Sequence, residues 1–173
     1  MELKGKRIAI LVEDIYNEVE FWYPYYRMKE AGATVTVVGN GAKEYNSKIG
    51  LPAPGGVSAE KVKSADFEAV IVPGGYAPDR MRRSQAMLGL VRACFQDGKV
   101  VAAICHAGWV LVSAGILKGK TATCFPSIKD DVVNAGAKYV DQDVVRDGNL
   151  ITSRTPDDLP AFCREIIKAL SKG

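Results

Sequence analysis

The chain of 173 residues is 47% hydrophobic and 25% charged, enough for one globular domain, residues 1–173, around a single core. Its net charge of +3 is mild, and the tightest basic cluster, Arg80, Arg82 and Arg83, lacks interleaved aromatics, which argues for a solvated or interface face over nucleic-acid binding. No apolar run approaches the ~20 residues of a membrane span, and four cysteines without a CxxC pair beside a single histidine point to free thiols in a cytoplasmic protein without a zinc site.

The start, MELKGKRIAILVED, lacks a small-residue cleavage site, so no signal peptide is expected. KRIAILV (6–12) is a short continuous apolar run, the pattern of a strand covered on both faces. Asn17 is placed to cap a helix that runs to about Ala31 and stops at Gly32. TVTVV (34–38) and EAVIV (68–72) predict two more strands, whereas Pro52 and Pro54 argue against a central strand at LPAPGG (51–56). QAMLGLVRACFQDG (85–98) predicts a helix, VVAAI (100–104) a fourth strand, and WVLVSAG (109–115) a helix closed by glycine.

SIKDDVVNAG (127–136) reads as a short helix, and VVRDGNLIT (144–152) as a hairpin with an Asp-Gly turn. Thr155 then caps a last helix with Pro156 at its first position and Cys163 among its core residues. Strands alternating with helices imply a mostly parallel sheet with helices on both faces, whose sites lie at the carboxyl ends of strands. Cys105 and Gly74-Gly75 both occupy such ends.

Cys105 precedes His106, the only imidazole in the chain, where the strand 100–104 turns into a helix. Small neighbours permit a sharp elbow that exposes the apex residue. A helix N-terminus also favours thiolate and can lower a thiol from ~8.5 by a unit or more. From these residues a reactive thiol and a buried structural cysteine both remain open. The paired glycines allow backbone N–H groups close to a ligand, although PGG is also an ordinary turn. Pro24 removes the donor to the Glu20 carbonyl, which distorts the helix near that carboxylate or merely kinks it beside an exposed one.

Four segments, AAICHAGWVLVSAGILKGK, VPGGYAPDRMR, SIKDDVVNAGA and VVRDGNLITSRTPDDLPAF, closely resemble the PfpI-type intracellular protease and general-stress-protein family. That family falls in the class I glutamine amidotransferase-like group, with the parkinsonism-associated deglycase. The resemblance runs from about Lys6 to Leu170. It implies a flavodoxin-like three-layer α/β sandwich with Cys105 as nucleophile and Glu20 hydrogen-bonded to it. It also implies oxyanion donors at Gly75 and the His106 backbone, with Gly74 beside them. Asp79 takes the position of an acid that orients the histidine of a neighbouring subunit, so a homo-oligomer, a dimer or a hexamer of dimers, is implied too.

Departures are visible. Cys105-His106-Ala107-Gly108-Trp109 replaces the usual Cys-His-Gly-Pro-Gln, so Trp109 is expected to narrow or reline the pocket. Phe125 stands where the family often has Tyr or His, and Asp79 where Glu is common. With no second histidine, glutaminase and α/β-hydrolase triads are excluded. Three readings remain, none needing a metal or cofactor. Cys105 adds to reactive carbonyls such as methylglyoxal, or to glycated adducts; it attacks peptide bonds of unfolded protein with His106 and Asp79; or it senses oxidation. The first is preferred, because a histidine next door to its cysteine is awkwardly placed for peptidase chemistry.

Overall fold

A computed structural model of the protein describes residues 1–171. The first strand, β1 (Arg7–Leu11), leads through α1 (Glu18–Glu30) to the parallel strand β2 (Thr34–Gly39). Asn17 caps α1 by accepting from the Val19 and Glu20 N–H groups at 3.1 and 3.2 Å. The helix continues unbroken through the buried Pro24. Strands β3 (Glu44–Asn46) and β4 (Pro52–Pro54) form a separate antiparallel pair, so the two prolines do lie outside the central sheet. The edge strand β5 (Val57–Ser58) then pairs with β2.

β6 (Ala69–Val72) returns to the other side of β1 and is followed by a short helix α2 (Ala77–Met81), which no sequence signal announced. Helix α3 (Gln85–Gln96) leads to β7 (Val100–Ile104), which pairs with β6. Every residue of β6 and β7 is buried, as expected for strands covered on both faces. The elbow residues Cys105–Ala107 form one 3-10 turn before α4 (Gly108–Ala114).

A two-residue strand β8 (Thr121–Ala122) precedes the segment expected as one helix over 127–136. That segment divides into a 3-10 turn, Pro126–Ile128, and α5 (Lys129–Asn134), before β9 (Lys138–Tyr139) pairs with β8. The hairpin β10 (Val144–Asp147) and β11 (Leu150–Ser153) forms as expected, and β11 joins β7. The last helix, α6 (Leu159–Ser171), begins after a 3-10 turn, Pro156–Asp158, rather than at Pro156 itself. Its buried residues Phe162, Cys163, Ile166 and Leu170 face the core.

The central sheet has seven strands in the order β10-β11-β7-β6-β1-β2-β5, all parallel except β10. Connections run one way from β1 to β2 and the other way from β6 to β7, so right-handed crossovers put α1 and α3 on opposite faces. Helix α6 packs with α1, and α4 with α3. The result is a flavodoxin-like α/β sandwich. The direction of winding reverses between β1 and β6, where such sheets leave a crevice beyond the strand ends.

Candidate active site

Three strand ends converge on this crevice. After β7, Cys105 adopts φ 62°, a left-handed conformation that a side-chain-bearing residue rarely takes. The strained turn directs its sulfur toward two backbone donors, the N–H groups of Gly75 and His106, the two positions expected to serve an oxyanion. Gly75 itself sits at φ 78° with Asn17 N 2.4 Å from where a Cβ would lie, so only glycine fits. After β1, α1 delivers Glu20 with no exposed surface. Its Oε2 accepts from the Gly74 N–H at 2.8 Å, while Oε1 is buried without a hydrogen bond. Gly74 therefore orients Glu20, and its N–H is not free to serve as an oxyanion donor.

Burial raises the Glu20 carboxyl to about 7, against the smaller downward pull of Gly74 and Cys105. Burial also pushes the Cys105 thiol up to about 12, and the Glu20 charge adds to it, outweighing the Gly75 and His106 N–H groups. This corrects the expectation of a depressed thiol pKa: the helix start and its donors are present, but a cysteine only 6% exposed loses more by desolvation than they return. At neutral pH the Cys105 sulfur is therefore a neutral thiol.

His106 lies within reach of that thiol. Its Nδ1 is 3.3 Å from Cys105 Sγ and its Nε2 3.2 Å from Ser127 Oγ. The expected awkwardness of adjacent residues is thus resolved by the left-handed Cys105 backbone. Burial, then the Lys48 charge, lowers the His106 pKa, so the ring is neutral at pH 7. A neutral tautomer with Nε2–H donating to Ser127 leaves Nδ1 to accept the thiol proton. Phe125 stacks on the imidazole at 4.7 Å and Trp109 meets it edge-on at 5.2 Å.

The cleft over Cys105 measures about 430 Å³ and is lined by Glu20, Gly75, His106 and Phe125 among others. Trp109 is not part of its wall. Its Nε1–H donates to Asp131 at 2.8 Å and Arg82 lies over its ring, so it braces His106 from behind instead of narrowing the pocket. Asp79 is exposed on α2, and its carboxylate makes no hydrogen bond to His106 of its own chain. Five site residues were missed in the sequence: Lys48, Tyr76 and Ser127, and Asn17 and Pro156, which were read only as residues that start helices. Tyr76 was legible as the neighbour of Gly75; Lys48 lies in a turn with no distinguishing pattern, and Ser127, at the start of the segment read as a helix, falls in the 3-10 turn Pro126–Ile128. Among the described residues no cluster of side chains suits a metal ion, and no helix is long and apolar enough to cross a membrane.

Comparison with known proteins places the chain among relatives of similar length and fold. The chain is 42% identical to a deglycase of Pyrococcus abyssi over 95% of its own length and 99% of the relative's. It is 39% identical to a putative cysteine protease of Bacillus subtilis, covering 96% and 99%. The solved structure of Drosophila melanogaster DJ-1beta superposes with a TM-score of 0.90 at 34% identity, covering 97% of this chain and 91% of that one. Residues 6–169 match the DJ-1/PfpI family, and the chain belongs to it.

Proposed function

We propose that the protein is a cysteine-dependent hydrolase of reactive carbonyl compounds and their early adducts, a deglycase or glyoxalase-like stress enzyme. The observation that carries this reading is the convergence of Glu20, the His106 ring and two backbone N–H groups on the Cys105 sulfur in a small cleft. The deglycase name of the Pyrococcus abyssi relative supports it. The thiol passes its proton to His106 Nδ1 as the sulfur adds to an aldehyde carbon, and the carbonyl electron pair becomes an oxyanion. The Gly75 and His106 N–H groups, which face the sulfur at rest, can turn to that oxygen. For methylglyoxal, Glu20 or His106 then moves a proton from the adduct carbon to its neighbour. Water cleaves the resulting thioester to give lactate and the free thiol.

A second reading, a peptidase using Cys105, His106 and Asp79 of a neighbouring copy, is favoured by the 3.3 Å thiol–imidazole contact and by the name of the Bacillus subtilis relative. It requires a homo-oligomer, whereas the carbonyl reaction needs only one chain. Incubating the protein with methylglyoxal and, separately, with an unstructured protein tests both. Lactate formation without proteolysis, lost in Cys105→Ser, is the expected result; Cys105-dependent proteolysis without lactate would establish the peptidase.

A further inference from the structure

Lys48 lines the Cys105 cleft, yet no step of the carbonyl reaction employs it. It is the one cationic side chain among the residues of that wall. Its backbone is firmly held although the side chain is exposed. The Lys48 N–H donates to the Tyr16 carbonyl at 2.9 Å. Ser47 Oγ accepts from the Ile49 and Leu51 N–H groups at 3.2 and 3.0 Å, and Tyr16 Oη donates to the Leu51 carbonyl at 2.7 Å. The ammonium lies over the Tyr76 ring, 5.3 Å from its centroid, and among the described residues it pairs with no carboxylate.

The only acid in the same wall is Glu20, which is fully buried and turned toward Gly74. A ligand entering the cleft therefore meets a positive charge that forms no ion pair, on a fixed loop, in the same wall as the Cys105 sulfur. We propose that Lys48 makes this cleft a binding site for small α-oxo acids, the ammonium holding the carboxylate while Cys105 adds to the adjacent carbonyl carbon. This deepens the proposed function and rests on Cys105 as nucleophile. In the step, an S–C bond forms and the carbonyl π bond breaks. The thiol proton ends on the carbonyl oxygen, giving a hemithioacetal without change of oxidation state. A carboxylate suits the site better than a phosphate. A dianion is normally met by several charged donors, and here one ammonium is the single cation of the wall.

Iodoacetate and iodoacetamide alkylate the same thiol and differ mainly in charge, so the ratio of their rates at Cys105 reads attraction of an anion independently of thiol acidity. The ratio should fall about fivefold in Lys48→Gln, persist in Lys48→Arg, and shrink toward the Gln value at high salt. In parallel, glyoxylate should protect Cys105 from iodoacetamide at lower concentration than neutral glyoxal in the unmodified protein, and lose that advantage in Lys48→Gln. A ratio unchanged by Lys48→Gln, or both rates falling equally, overturns the proposal. Protection by inorganic phosphate as strong as by glyoxylate overturns the carboxylate assignment. Failure to form lactate from methylglyoxal would remove the glyoxalase reading while leaving a fivefold ratio change as evidence for the oxo-acid site.

Discussion

Glu20 and Cys105, 85 residues apart in the chain, face each other across Gly74 with no room for a side chain between them. A Cβ on Gly74 would stand 2.5 Å from Glu20 Oε2 and 2.8 Å from the Cys105 Cβ. Since Gly74 has no left-handed φ, the constraint is space alone. Gly74→Ala should therefore fold at a cost of about 1–3 kcal/mol while lowering carbonyl turnover at least about tenfold, as the pair is forced apart. Thermal unfolding alongside lactate assay checks this; wild-type turnover in a folded Gly74→Ala protein would show that the contact is dispensable.

Glu20 also links the site to stability. Its folded value of about 7 lies above the ordinary 4.5, so between these pH values the unfolded chain binds fewer protons than the folded one. Stability from this group is intact below pH 4.5 and is lost as pH rises through 7. Glu20→Gln keeps the acceptor for Gly74 and removes the charge, so it should stabilise the protein by up to about 3 kcal/mol at pH 8 and by little near pH 4.5. Denaturant titrations at both pH values measure the difference; an equal effect at the two would mean that Glu20 is not buried as a neutral acid.

Cys105 should be the thiol that reacts first. All four are buried and raised, Cys94 to about 11 and Cys124 and Cys163 to about 12. Acidity therefore does not single out Cys105. What distinguishes it is a cleft above it and a neutral imidazole 3.3 Å away. Limiting iodoacetamide followed by peptide mapping should label Cys105 ahead of the others, and faster labelling of Cys94 or Cys124 would count against it as nucleophile.

Asp79 and Ser127 offer rival partners for His106. Among the described residues of one chain only Ser127 reaches Nε2, so Ser127→Ala should alter the pH profile of carbonyl turnover while Asp79→Ala leaves it within about twofold. If Asp79→Ala instead abolishes activity, and mixing it with Cys105→Ala chains in one oligomer restores part of it, the site is shared between subunits. That outcome would favour the peptidase.

Away from the site, Arg154 and Asp158 anchor the start of α6. Asp158 is buried and accepts from Arg154 Nε at 2.9 Å, Arg154 N at 3.1 Å and Thr155 N at 3.3 Å. Burial alone would raise its carboxyl, but the Arg154 contacts win and hold it below the ordinary range. Its stabilisation is present above pH 3.8 and is lost as pH falls through the lower folded value. Asp158→Ala should cost about 2–4 kcal/mol at pH 7 and progressively less in acid, which unfolding curves at the two pH values would reveal.

The strands were legible because β6 and β7 are short, apolar and covered on both faces, a pattern written locally in AVIV and VVAAI. The elbow was legible for a similar reason, since small residues crowd around one cysteine at a strand end. Resemblance supplied Glu20, and Asn17 marked where its helix begins. What no local pattern carried was the balance of forces at the sulfur. Whether a cysteine at a helix start is acidic depends on how much water reaches it, and the fold leaves Cys105 only 6% exposed against a buried acid. Nor could the sequence tell that Trp109 stands behind His106, that Gly74 serves Glu20, or that Lys48 and Ser127 arrive from separate turns. Those are distances between residues far apart in the chain, and tertiary packing alone decided them.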